Sequence, residues 1–506
     1  MPTLQMHLRH TLAQATAVAL ASSAAIALAL LLPQPAHAAS ALVLQDGSAL
    51  RAAPKDAAPL LTPLTRGEAL EVRGTQGDWL QVWDHRRERG GFVRAERLLP
   101  LTDGASALPE LSAQLRLVRR QPGAEALGLG LAAAVIERAP ADWLTGPAGA
   151  ELLDALVEVN ERLAERAQAA ATPGQQSSAA AQAEVAARYG YPLRPVPLAD
   201  GSQRLCANPE PARLLRGHPA ARPDQQARAA LALTRPECLS ADTPAHQWAA
   251  VHAARAQALD AINLTELPGP LRNRLLLRRV GVLSSLAFSQ RGTDATAPAG
   301  QALAAWTQLL PAELSDDDAP ALREAALRMA PMRWAARPAV REQRLGSGQL
   351  VLSAGATPGE TCLRWQHPNP EGKWLDTVQR CTHAWVHATS ARLSPDGRSL
   401  VLAVQPLDGW TELWRLGRDG TVQVLPPSAA VPGLGMAEFA GWAPNKDGLQ
   451  LLVAREAAAE GKVLRRFEVY GADFVQPQRW ATEPTPLAAF QRSADAAWKA
   501  GSPLAR

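Results

Sequence analysis

The hydrophobic period of this chain changes twice, and each change limits what a segment can fold into. Apolar residues two apart mark strands with one buried face, whereas residues three and four apart mark amphipathic helices. From Leu42 to Leu101 the alternation is in twos, as with Leu70 and Val72, or along Trp79-Leu80-Gln81-Val82-Trp83. From Ala107 to about Ala336 the spacing is helical, with Leu108, Leu111, Leu115 and Val118 on one stripe. From Val340 the alternation returns. Three units are expected: a small β-barrel over 41–102, an all-α domain over 107–337, and an antiparallel β-meander or partial propeller-like domain over 340–506. A chain of 506 residues with 47% hydrophobic content can supply a core to each.

The first unit is the most specific. Gly74-Thr75-Gln76-Gly77-Asp78 joins two alternating runs with turn chemistry and predicts a hairpin. Gly90 and Gly91 lead into a short strand at Phe92, an entry suited to a positive φ. Four spaced pieces then align: Leu50-Arg51-Ala52-Ala53-Pro54, Gly67-Glu68, Gly77-Asp78-Trp79-Leu80-Gln81-Val82 and Gly91-Phe92-Val93. Together they resemble a bacterial SH3 (SH3b) domain, over about 60 of the 506 residues. The resemblance implies an SH3-like barrel that binds peptidoglycan or another protein in the cell envelope. Trp79, Gln81 and Trp83 share one strand face and are the candidate ligand-binding residues, either as an open aromatic platform or as indoles capping the barrel core.

The N-terminus reads as an export signal. His7, Arg9 and His10 precede an apolar stretch from Thr11 to Leu32, Pro33 and Pro35 break it, and Ala36-His37-Ala38 matches a signal-peptidase site. Cleavage between Ala38 and Ala39 would release a periplasmic protein through a Sec-type route. An uncleaved anchor is the alternative, since the apolar run is long enough to cross a bilayer. No later segment has 18 uninterrupted apolar residues, so the mature chain is not expected to span a membrane.

Four cysteines in an exported chain favour disulfides. Of three possible connectivities the local one, Cys206–Cys238 and Cys362–Cys381, keeps each pair within one unit. For the second pair, a hairpin turning about Glu371-Gly372 sets Cys362 opposite Cys381. No CxxC spacing supports a zinc ribbon or a thioredoxin-type centre.

In the helical stretch Ala124–Arg138, Glu151–Ala170, Asp224–Arg235, the segment after Pro244, Leu271–Phe288, Gln301–Leu310 and Ala319–Met329 are the expected helices. The Ala/Gln/Ser-rich run 164–187, broken by Pro173-Gly174, reads as a loop or ragged helix ends, and Tyr189–Pro223 as irregular. The helix after Pro244 is expected to turn Trp248, Val251, Leu259 and Ile262 inward. Arg272, Arg274, Arg278 and Arg279 form either an anion patch or a solvated face paired with Glu266 and Asp316-Asp317-Asp318. In the last unit Ser394-Pro395-Asp396-Gly397-Arg398 and Ala443-Pro444-Asn445-Lys446-Asp447-Gly448 recur about 50 residues apart. They resemble the turns of TolB-like or WD-type propeller blades, although 167 residues make only about three blades. Eight of the 14 tryptophans lie beyond Val340, a density that favours blade cores over a stacking surface.

Known catalytic signatures are missing: there is no GxSxG, SxxK, HExxH or Walker A loop. His383 and His387, four apart on a strand, would stand about 13 Å apart, too far to share an ion. A net charge of +4 with no basic block gives no nucleic-acid signature. The sequence therefore favours an exported envelope binding or scaffold protein without a cofactor, partnered by peptidoglycan or an envelope protein. The alternatives are a cell-wall hydrolase with an unrecognised catalytic domain, or a structural subunit of an envelope complex.

Overall fold

The computed structural model describes residues 39–503 apart from 199, 430–432, 447, 460–461 and 472–473. The export signal and Ala38 of its cleavage site lie outside the described residues, as does Asp447 of the second blade-like turn. Ala39 opens the described chain, exposed.

An antiparallel sheet comes first: β1 (Ser40–Val43), β2 (Ser48–Arg51), β3 (Leu60–Leu64), β4 (Ala69–Gln76), β5 (Trp79–Asp84), β6 (Arg89–Arg94) and β7 (Leu98–Leu101). The strand order is β3-β2-β6-β5-β4-β1-β7. The expected hairpin is β4–β5, with Gln76 opposite Trp79. Among the described residues the sheet does not close into the expected barrel, because β3 and β7 remain its two edges. The β7 side is taken by helices: Leu101 is buried in the helical core and Leu99 packs against it. β1 shows how period two serves both neighbours, since Ala41 and Val43 enter the core of the sheet while Leu42, between them, enters the helical core. Positive φ in the β5–β6 turn falls on Glu88 rather than on Gly90 or Gly91. Those glycines serve close approach instead: a Cβ on Gly91 would meet Leu50 Cδ1 at 2.7 Å.

The middle is helical. α1 (Leu108–Val118), α2 (Glu125–Arg138), α3 (Ala141–Thr145), α4 (Pro147–Ala169) and α5 (Pro173–Arg188) enclose one core with Leu42 and Leu101. The run expected to be ragged is α5, started by a capping box in which Thr172 and Gln175 satisfy each other's backbone N–H. Pro173 occupies the first helical turn, where its missing N–H costs nothing. The stretch expected to be irregular holds a small hairpin, β8 (Arg194–Pro197) with β9 (Gln203–Cys206), and α6 (Glu210–Gly217). A further core gathers α7 (Pro223–Leu233), α8 (Trp248–Asp260), α9 (Gly269–Ser289), α10 (Thr296–Thr307), α11 (Ala319–Met329) and α12 (Met332–Ala335). The Cys206–Cys238 disulfide ties β9 to the segment after α7.

The C-terminal part holds two sheets. β10 (Glu342–Leu345), β11 (Gly348–Ala354), β12 (Thr361–Pro368) and β13 (Trp374–Thr382) form a meander. Cys362 stands opposite Cys381 and the two are bonded. The β12–β13 hairpin closes with Pro368 opposite Trp374, a register that by itself would face Cys362 with Arg380. A bulge between Trp365 and Gln366 leaves Thr377 unpaired and shifts the register by one, which brings the cysteines together.

The second sheet contains β14 (Trp385–Leu393), β15 (Ser399–Leu407), β16 (Trp410–Gly417), β17 (Val422–Leu425), β18 (Leu434–Asn445), β19 (Gly448–Ala459), β20 (Lys462–Tyr470) and β21 (Pro477–Ala481). The two recurrent turns do join β14–β15 and β18–β19, yet they do not head separate blades. β17 is short and covers only Leu413–Leu416 of β16. Trp410 and Thr411 are left to pair in parallel with Gly435 and Met436 of β18, so the two units fuse into one sheet instead of forming separate propeller-like blades, and the antiparallel sheets of the expected meander are what is found. Helices α13 (Ala488–Ser493) and α14 (Ala496–Gly501) cover β18. There Phe467, Phe490 and Trp498 meet edge to face, and the Trp498 indole N–H donates to buried Glu438 at 2.6 Å. Arg333 of α12 faces the other oxygen of Glu438 at 2.7 Å. No described helix is long and apolar enough to cross a membrane.

Candidate functional site

Two places gather side chains that could meet a ligand. The first is the outer face of β5. Leu80 and Val82 point into the sheet core, and Trp79, Gln81 and Trp83 lie on the other face. The indoles are not bare. The Arg94 guanidinium lies 4.5 Å over Trp79, which is only 6% exposed, and Arg73 lies 4.3 Å over the half-buried Trp83. Gln81 is exposed between them. Arg94 in turn pairs with Asp56, whose carboxyl it holds below the usual range by direct hydrogen bonding. The face is thus two indoles, each covered by a guanidinium and separated by Gln81, rather than an open aromatic platform.

This strip belongs to a sheet fixed to the helices. Glu68 is 3% exposed and is surrounded by Arg87 at 3.1 Å, Arg188 at 3.3 Å and Arg86 at 3.8 Å. Tyr189 donates its hydroxyl to Gly67 O at 2.7 Å, and Arg66 reaches Gly123 O at 2.8 Å. Gly67, at φ +83°, comes so close to α2 that a Cβ would lie 2.4 Å from Ala126 O.

The second place is a cavity of about 720 Å³ among α7, α8, α9, α11 and the β15–β16 turn. Its volume falls in the range of sites for small organic ligands. Six arginines and five carboxylates line it. The carboxylates are all committed. Glu161 (2.6 Å) and Glu237 (3.3 Å) face Arg235, Asp318 (2.7 Å) faces Arg274, and Glu324 (2.8 Å) and Asp408 (3.1 Å) face Arg328. Asp408 arrives from the C-terminal sheet and also accepts from Ser285 of α9 at 2.6 Å. Burial works against the charge of Arg328, but Asp408 and Glu324 outweigh it and hold the guanidinium protonated more firmly than usual.

Among the described residues the remaining arginines, 255, 278 and 291, are in no ion pair. Arg255, 9% exposed, donates to Thr234 O and faces His252 Nδ1 at 3.3 Å, and its Nε has no partner. Arg278 donates through Nη1 to Leu231 O at 3.1 Å. Both therefore sit at the C-terminal end of α7, where free carbonyls and the helix dipole attract cations. Arg291 lies at the rim, over Phe288 at 4.4 Å. Burial lowers the Arg255 pKa to about 10, aided by Arg278 and Arg328, and burial lowers that of Arg278 as well. Trp248 stacks on His252 with ring centroids 5.4 Å apart. Burial, with Arg255 beside it, lowers the His252 pKa to about 4, so its ring is neutral near pH 7.

The helical stripe of α8 differs from the expected one. Leu259 and Ile262 are buried, but Trp248 and Val251 are only half-buried, and His252 and Arg255 take the inner face. The signal was present: 252, 255, 256 and 259 follow helical spacing, with two polar residues where a core stripe would be apolar. The expected arginine patch on α9 is divided. Arg272 pairs with Glu313 at 2.9 Å, Arg274 with Asp318, Arg279 caps Leu259 O at 2.8 Å, and only Arg278 is left unpaired. Asp318 also closes a capping box with Ser315. His383 and His387 diverge, one on the surface beside Thr357, the other buried against Gln405. In comparisons with family models, curated proteins and solved structures, nothing matches this chain.

Proposed function

We propose that the protein is an exported cell-envelope binding or scaffold protein whose first sheet acts in the manner of an SH3b module. The observation that supports this reading is the strip Arg73–Trp83–Gln81–Trp79–Arg94, carried on a sheet clamped to the helical domain. Exposed Gln81 and the half-buried Trp83 suit sugar hydroxyls and rings, and Arg73 and Arg94, paired at the surface with Glu71 and Asp56, can exchange those partners for carboxylates of a cell-wall polymer. Peptidoglycan is the ligand this chemistry favours. The clamp makes the sheet a fixed contact surface rather than a tethered one, as a scaffold needs.

The test uses the full chain, because β1 and β7 bury Leu42 and Leu101 in the core of α1, α2 and α4. Purified sacculi should sediment the wild type, and Trp83→Ala together with Arg73→Gln should reduce the bound fraction at least fivefold. Equal sedimentation of wild type and variant would refute the strip as the contact. No sedimentation of either would refute wall recognition and leave a protein partner. Release of soluble fragments from labelled sacculi would replace this reading with a hydrolase.

A further inference from the structure

Arg255 and Arg278 present a problem of charge balance. Folding has placed two guanidinium groups on one wall of a cavity, Arg255 buried and Arg278 half-buried, and given neither a carboxylate in direct contact. The α7 carbonyls they cap satisfy only part of their donor capacity, since each guanidinium carries five N–H bonds. Arg255 uses Nη2 on Thr234 and turns Nη1 toward His252; Arg278 uses Nη1. Burying a cation without its counter-ion costs several kcal/mol, and such groups are normally paired. The five carboxylates nearby cannot move across without breaking pairs with Arg235, Arg274 or Arg328.

The rest of the lining says what else the occupant must be. Leu277, Val282 and Phe288 of α9 offer apolar surface, and Trp248 offers an indole already stacked on a ring. A cavity of about 720 Å³ is far larger than a bare inorganic anion needs. Arg291 at the rim adds a cation where such a ligand would enter.

We infer that this cavity is a binding site for a small organic oxyanion, a carboxylate or phosphate monoester on an apolar, preferably aromatic, body. The oxyanion meets Arg255 and Arg278, and the apolar body lies along Trp248 and Phe288. This site is independent of the wall-binding strip, so either reading can fail without the other.

Calorimetric titration of the full chain with 2-naphthoate, 2-naphthyl phosphate, neutral 2-naphthamide and inorganic phosphate tests it. One of the two aromatic anions should bind at one per chain and at least tenfold tighter than the amide or inorganic phosphate; which of them binds tells carboxylate from phosphate recognition. Arg278→Gln should weaken that binding tenfold or more and Arg291→Gln about threefold, with thermal unfolding confirming that both variants fold. Arg291 makes only a local bond to Phe288 O, so that variant keeps the test open should Arg278→Gln misfold. Arg272→Gln, on the same helix but paired with Glu313, should change nothing. The inference is overturned if the amide binds as well as the anions, if no probe binds, or if both Arg278→Gln and Arg291→Gln bind like wild type.

Discussion

The junction between the first sheet and the helices and the junction between the helices and the C-terminal sheets are built from the same material to opposite ends. Both concentrate arginine around a seam. At the first, three arginines converge on one buried carboxylate, Glu68, and backbone contact at Gly67 leaves no room for a methyl group. At the second, carboxylates are shared out among three arginines and two more are left facing open space. A buried guanidinium with its carboxylate is a fastening. A buried guanidinium without one is a vacancy in charge, and it is stable only because helix-end carbonyls hold it.

The sharpest way to break this comparison is to neutralise each side. Glu68→Gln strands three arginines around a buried amide and should cost about 3–5 kcal/mol in urea unfolding. Arg278→Gln removes a cation that burial disfavours and should stay within about 1 kcal/mol of wild type, or stabilise. Equal losses would show that the arginines of the second seam are as structural as those of the first.

Next in size is the Cys206–Cys238 bridge, which fixes the segment carrying Glu237 beside the cavity. Cys206→Ala with Cys238→Ala should cost about 4 kcal/mol, slightly more than removing Cys362–Cys381 because the closed loop is longer. Melting of the two double variants measures the difference.

Acid should follow. His387 is buried between Trp334 and Trp385, and burial, opposed by its bond to Gln405, lowers its pKa to about 4. Between pH 6.5 and pH 4 the unfolded chain takes up a proton that the folded ring refuses. Stability should therefore fall as pH drops through this window, by at most about 3 kcal/mol for this group, and level off below pH 4. Denaturation at pH 7 and pH 4.5 should show a smaller drop in His387→Gln than in wild type.

The smallest effect contrasts with Gly67. Gly281 of α9 borders the cavity, and a Cβ there would meet only Arg328 Cδ, at 3.9 Å. Gly281→Ala should stabilise by about 0.5–1 kcal/mol through helix propensity alone, read as a small rise in melting temperature. A loss instead would mean that the cavity wall is as tightly packed as the first junction.

Much of the architecture was legible because it rests on local rules. The change of period marked the three regions, Ala319–Met329 matches α11, and the β12–β13 hairpin holds the expected cysteine pair, although a bulge rather than the turn alone sets its register. What was not legible depended on partners distant in the chain. The barrel fails because Leu99 and Leu101 have helices to cover them. The propeller-like alternative gives way to one sheet because a four-residue β17 leaves half of β16 free for a parallel neighbour. The strip at Trp79 and Trp83 was visible, but its covering arginines, one on β4 and one on β6, were not. The cavity was hidden because Arg255 looks like an ordinary surface arginine until the carbonyls of another helix are placed beside it. Charge vacancy is a property of three dimensions, and only the polar interruption of the α8 stripe hinted at it.

The bond from Trp498 to Glu438 carries a consequence for how the molecule is made. The carboxylate sits in the middle of β18, yet its indole donor stands 60 residues further along, on α14. Until α14 docks, that carboxylate has Arg333 but lacks its indole donor, so this face of the largest sheet is finished only once α14 is in place. A variant lacking α14 should melt at a lower temperature than one that keeps it.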